Sequence, residues 1–120
     1  MALNTDLPTL SVLVGEELSS IIFVADYVQF DFNGPRLTAF SPPVVRLRGG
    51  ESRFPGPGSR DALCSLIQQV VASAIARQDD RIDVTFASGA RLSILLGAGQ
   101  YEGPEAATFS DPNAGGLLVW

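Results

Sequence analysis

Two stretches of the chain repeat one pattern, and that repetition limits what it can fold into. DYVQFDFNGPRLTAF (residues 26–40) and DRIDVTFASGARLSIL (residues 80–95) both alternate apolar and polar residues, turn on a glycine, and alternate again after Arg-Leu. A period of two is the mark of a half-buried strand. Val28, Phe30 and Phe32 correspond to Ile82, Val84 and Phe86, with polar residues between them in both copies. Asn33-Gly34 suits a two-residue hairpin turn with positive φ at both positions, and Ala87-Ser88-Gly89 suits the glycine-bearing three-residue loop. The returning strands carry Leu37 and Ala39 in one copy, Leu92 and Ile94 in the other.

The match continues upstream. Ser20, Ile22 and Asp26 align with Ser73, Ile75 and Asp79 at an offset of 53; the offset is 54 at Phe32/Phe86 and 55 at Leu37/Leu92. Both insertions fall in turns, where added residues are best tolerated. This alignment bears on SRDALCSLIQQVVASAIARQ, residues 59–78, whose Leu63, Leu66, Val70 and Ala74 have helical spacing. Its second half aligns with a β-branched stretch, ELSSIIFV, that reads as a strand. The expectation is a short helix over about Ser59–Gln68, with Ser59 as N-cap and Asp61 near the positive end of the dipole, then a strand over about Val70–Ala76. One continuous helix over 59–78 remains open.

The expected fold class is therefore α+β. Two antiparallel three-stranded meanders related by internal duplication, with one short helix, form a packed sheet pair or a partial barrel of six or seven strands. Residues 1–120 read as a single domain. The first repeat covers about 11–40, an Arg/Gly/Pro-rich linker 41–58, the second repeat 59–95, and a C-terminal segment 96–120 ends in the strand Leu117–Trp120. Hydrophobic content of 46% is enough for one ordinary core.

Several function classes fall away. No apolar run approaches the length of a membrane helix, and SIIFVA (Ser20–Ala25) is far too short. The first ten residues lack the basic and apolar regions of a secretory signal. A single cysteine, Cys64, permits no internal disulfide, and a cytoplasmic location is expected. The net charge of −5 argues against phosphate-backbone binding, so no nucleic-acid or membrane partner is expected. There is no histidine, which removes the usual general base and metal ligand. Neither catalytic residues, a metal site nor a cofactor is assigned. Cys64, beside Leu63, Leu66 and Ile67, reads as a buried small hydrophobe. The carboxylate pairs Glu16-Glu17, Asp79-Asp80 and Glu102/Glu105 fall at turns, where solvated charge is ordinary. RGGESRFPGPGSR (residues 48–60) lacks the residues of a phosphate-binding loop.

All eight basic residues are arginine, a bias that codon usage explains unless the arginines cluster. Four of them, Arg46, Arg48, Arg53 and Arg60, fall within fifteen residues beside Phe54. Arg and aromatic residues are favoured at protein interfaces; the competing reading is protection of an exposed strand edge. Trp120 ends the chain on an apolar strand that must dock on its own sheet or on a second subunit. These six residues are the candidate interaction site.

LVGEEL (Leu13–Leu18), FDFNGPRL (Phe30–Leu37), TFASGARL (Thr85–Leu92) and GGLLVW (Gly115–Trp120) resemble a loose group of small bacterial proteins of unknown function. Their pattern is a duplicated β-meander with a Gly-Gly-Leu-x-Val-Trp-like tail. Ser88 departs from it, standing where an acidic residue is usual. The resemblance implies a bacterial protein, with toxin immunity as one role, and transfers no site residue. The resulting expectation is a non-enzymatic module that binds a protein partner or a second copy of itself. The alternative is a small-molecule binder or carboxylate-based enzyme using a cleft between the repeats, for which a pocket lined by Asp or Glu would speak.

Overall fold

The alternating segments form strands where their patterns place them. The computed structural model describes residues 9–120, so most of the segment read for a secretory signal lies outside the described residues. A short 3-10 turn, Leu10–Leu13, is followed by β1 (Ser20–Val24), β2 (Tyr27–Asp31), β3 (Arg36–Ala39), β4 (Val44–Leu47) and β5 (Gly50–Arg53). Helix α1 (Ser59–Cys64) precedes β6 (Val71–Arg77), β7 (Arg81–Phe86), β8 (Arg91–Leu95), β9 (Ala107–Ser110) and β10 (Leu118–Val119). These ten strands make two antiparallel five-stranded sheets, a sheet pair and not a closed barrel.

Both meanders exist and repeat each other in register. Ile22 lies opposite Gln29 as Ile75 lies opposite Asp83, and Phe30 opposite Leu37 as Val84 opposite Leu92. Even the turns agree: the Phe32 amide donates to Pro35 at 2.8 Å, the Phe86 amide to Ala90 at 2.8 Å. Of the two insertions inferred from the sequence, one sits in that turn and the other in the preceding turn, between Val24 and Tyr27 in one half and Arg77 and Arg81 in the other.

The segment 41–58, expected as a linker, instead carries β4 and β5, and the repeat is longer than its meander. The sheets run β1-β2-β3-β9-β10 and β6-β7-β8-β4-β5. Each half therefore sends its last hairpin into the sheet of the other half. Val45 lies opposite Leu92, and Phe109 opposite the equivalent Leu37. The Phe54 amide donates to Pro43 and the Trp120 amide to Ala107, both at 2.9 Å, as matching residues should. The strand count exceeds six or seven because RFPGPG looks like linker composition even though its neighbours pair.

The two halves meet about a two-fold relation. Glu17 and Val70, equivalent at the offset of 53, bridge to each other antiparallel. Around that bridge the Gly15 amide donates to Val71 and the Gln68 amide to Leu18, at 2.9 and 2.8 Å. The amides of Leu18 and Val71 donate to Gln69 and Glu16, at 3.1 and 2.9 Å. Exchanging the halves turns each bond into the other. The correspondence reaches the first turns: Leu10 and Leu13 match Leu63 and Leu66, and all four are buried. One core joins both inner faces, with Phe30, Phe32, Phe86 and Phe109 among its largest fully buried side chains.

The helix-then-strand reading holds and the single long helix does not, because the chain leaves helical geometry at Gln68, whose φ is +76°. Helix α1 stops at Cys64, short of the expected Gln68, and Gly58 occupies the N-cap position. Ser59 is the first helical residue, with its hydroxyl buried and unpartnered among the described residues. Gln68 stands where the first half has Gly15, at φ +90°. A left-handed conformation costs an L-residue about 1–2 kcal/mol, while glycine adds about 0.5–1 kcal/mol of unfolded-state entropy. Gln68→Gly should therefore stabilise the protein by up to about 1 kcal/mol. The check is a raised urea midpoint at unchanged m-value.

Candidate functional site: an arginine-bearing sheet face

Strand alternation decides which side chains of the second sheet face out. With Val45, Ile82, Val84, Leu92 and Ile94 turned to the core, the opposite face presents Arg46 from β4, Arg53 and Glu51 from β5, Arg91 and Ser93 from β8, Arg81, Asp83 and Thr85 from β7, and Arg77 from β6. Five of the eight arginines of an acidic chain thus share one face with two carboxylates. The clustering that codon usage alone would not produce is present.

The register makes this face electrostatically unfavourable in isolation. Arg46 lies directly opposite Arg91, and Arg77 opposite Arg81. Like charges directly across a strand pair are destabilising. Asp83 accepts hydrogen bonds from Ser93 at 2.6 Å and Arg77 at 3.4 Å, and Glu51 comes only within 4.0 Å of Arg46. Arg91 makes no ion pair among the described residues. A concavity of about 220 Å³ opens between Arg46, Arg81 and Arg91, and a second of about 450 Å³ continues from Arg46 past Arg48 towards Gln69 and Ser88.

The first sheet shows the alternative that the same fold allows. Arg36 is the counterpart of Arg91, and opposite it stands Asp31, where the second sheet has Thr85. Arg36 grips that carboxylate with Nε at 2.6 Å and a terminal nitrogen at 3.0 Å, and reaches Gln29 at 3.3 Å. Hydrogen bonding to Asp31, then its charge, raises the Arg36 pKa above its ordinary value. One half neutralises its arginine; the other leaves it bare.

The six residues singled out in the sequence are dispersed. Arg46 and Arg48 border the cationic concavities. Arg53 sits on the edge strand of the same face, where its guanidinium donates to the carbonyls of Pro42 at 3.2 Å and Gln100 at 3.4 Å. Phe54 is buried, not an exposed anchor, because it turns inward next to Arg53 and stacks on Phe23 at 5.7 Å. Arg60 caps that pair, 5.0 Å from the Phe54 ring. Trp120 is half-buried against its own sheet, its carbonyl accepting from Ala106 at 2.6 Å. Arg77, Arg81 and Arg91 were missed, although RIDVTF and RLSIL alternate clearly enough to put Arg81 and Arg91 on the face of Asp83 and Ser93; Arg77 joins them through its pairing with Arg81.

Cys64 is exposed rather than buried, since the single helical turn directs Leu63 and Leu66 inward and leaves the residue between them outside. A thiol-specific reagent should accordingly label Cys64 stoichiometrically in the native protein, without denaturant. The turn carboxylates Glu17, Asp79, Asp80 and Glu102 are exposed. Among the described residues no group of three or more Cys, Asp or Glu side chains could hold a metal ion, and no helix is long and apolar enough to cross a membrane.

No family model matches the chain, and no curated protein and no solved structure matches it significantly. The resemblance to small bacterial proteins thus rests on the quoted motifs alone.

Proposed function

We infer that this chain is a non-enzymatic protein-binding module whose second sheet receives an acidic surface of a protein partner. The observation that carries this reading is Arg91, which has no ion pair among the described residues and faces Arg46, itself held only by a 4.0 Å contact to Glu51, set beside the neutralised Asp31–Arg36 pair at the equivalent place. A cross-strand repulsion that the fold can avoid, and avoids in its other half, is relieved by carboxylates from outside. Guanidinium groups are suited to that task, since they bind carboxylates in a bidentate fork and are weakly hydrated. Complementary charge also speeds encounter and excludes wrong partners. In the immunity form of this reading the partner is a single toxin, bound through an acidic patch.

The experiment is recovery of the tagged protein from its source cells, with native mass spectrometry of the eluate. A stoichiometric acidic protein that is absent with Arg46→Glu/Arg91→Glu supports the reading. A bare homodimer, or a co-purifying oligonucleotide, overturns it. The small-molecule alternative also has an observation in its favour, an acid-lined aromatic cavity at one end of the first sheet.

A further inference from the structure

We propose that this cavity, at one end of the first sheet, binds the cationic head of a ligand, a guanidinium or ammonium group. Its volume is about 380 Å³, within the range of small-molecule sites. Tyr27 opens β2 and Phe40 follows β3, so the two rings meet across the strand pair, 5.2 Å apart and inclined by 41°. Tyr101, from the connection between β8 and β9, lines the same space, as do the carboxylates of Asp26 and Glu102. No arginine is among the lining residues, although the Arg53 guanidinium adjoins the cavity through the carbonyls of Pro42 and Gln100.

The aromatic pair is not something the fold requires. At the equivalent positions the second half places Arg81 opposite Leu95, in the same register. Nor is the pair consumed by packing, since Tyr27 and Phe40 remain partly exposed; Tyr101, whose ring packs against the core, is partly exposed as well. The connection that supplies Tyr101 and Glu102 is tied to the sheets: Ser41 and Arg53 both donate to the Gln100 carbonyl, at 3.3 and 3.4 Å. The backbone that carries Tyr101 and Glu102 is therefore anchored at Gln100.

Its chemistry selects for positive charge. Ring faces attract a cation through their quadrupoles, and more strongly where water is displaced. Two carboxylates add Coulomb attraction, and they repel an anion by the same amount. Such a cation can belong to a free amine or to a basic side chain of a peptide.

The test is an NMR titration of the full chain with arginine amide, tetramethylammonium and a Gly-Arg-Gly peptide. Saturable shifts at Tyr27, Tyr101 and Glu102 are expected. Tyr101→Leu should weaken binding about tenfold, while Tyr101→Phe, which keeps the ring, should stay within about twofold. Asp26→Asn/Glu102→Gln should weaken it and flatten its salt dependence. Asp26 and Glu102 are exposed and Tyr101 packs only at the core's margin, and unchanged shifts elsewhere confirm that the variants fold. Tighter binding of the peptide than of arginine amide identifies a peptide source, and the reverse order a free amine. Absence of saturation at millimolar probe, or Tyr101→Leu binding like the parent, overturns the proposal.

Discussion

Phe32→Ala and Phe86→Ala should each cost about 3–5 kcal/mol of stability, and by similar amounts. The two rings are equivalent, one just past the end of β2 and one at the end of β7, the middle strands of the two meanders, and both are essentially inaccessible to solvent. Each closes its hairpin through a backbone bond of 2.8 Å, so the backbone at these points is fixed and cannot relax into the space a lost ring leaves. A domain of this size has about 5–15 kcal/mol in total. Either substitution therefore removes a large share of it, and the two together should leave a chain that does not fold. Urea unfolding of both single variants measures this directly. Near-equal losses are what a two-fold arrangement predicts; a loss below 1 kcal/mol at one site and the full loss at the other would mean that only one half carries the core.

The parts of this fold that were legible in the sequence are those set by neighbours along the chain. Val28, Phe30 and Phe32 announce a strand because alternation is local, and Asn33-Gly34 announces its turn because positive φ is a property of those residues. The exchange of hairpins was not legible. Whether β4 pairs with β3 or with β8 is decided by which sheet edge the chain meets after Pro42-Pro43, a tertiary matter on which the alternation is silent. Gln68 hid its left-handed turn because only a glycine there, as at Gly15, would have signalled it. The candidate site was half legible for the same reason. Arg46, Arg48, Arg53 and Arg60 stand out as neighbours in sequence, yet Arg60 packs on Phe54 while Arg91, more than forty residues away from Arg46, lies directly opposite it. The cavity of Tyr27, Phe40 and Tyr101 joins a turn, a strand end and a distant connection, and nothing in any one of those segments marks it.

Thr85→Asp should remove partner binding and leave the fold intact. The substitution copies into the second half the solution already present in the first, because Thr85 lies opposite Arg91 as Asp31 lies opposite Arg36. An aspartate there gives Arg91 an internal carboxylate in a register known to allow the two-pronged contact. The effect on stability is small: a solvent-facing ion pair contributes about 0–1 kcal/mol, and aspartate's poor strand propensity, worth up to ~1 kcal/mol, offsets it. The effect on binding is large. A partner carboxylate then meets an occupied guanidinium and a repelling neighbour, and loss of a charge pair at an interface costs about 2–5 kcal/mol, on the order of a hundredfold or more in Kd. Thr85→Asn keeps the shape without the charge and should bind within a few-fold of the parent. Calorimetric titration of a polyglutamate peptide, and of the recovered partner, into all three proteins separates the cases. Raised salt should weaken the parent complex more than any residual Thr85→Asp complex. Equal affinity of the Asp and Asn variants would show that Arg91 plays no part in recognition, and its place opposite Arg46 would then be a tolerated repulsion rather than a binding surface.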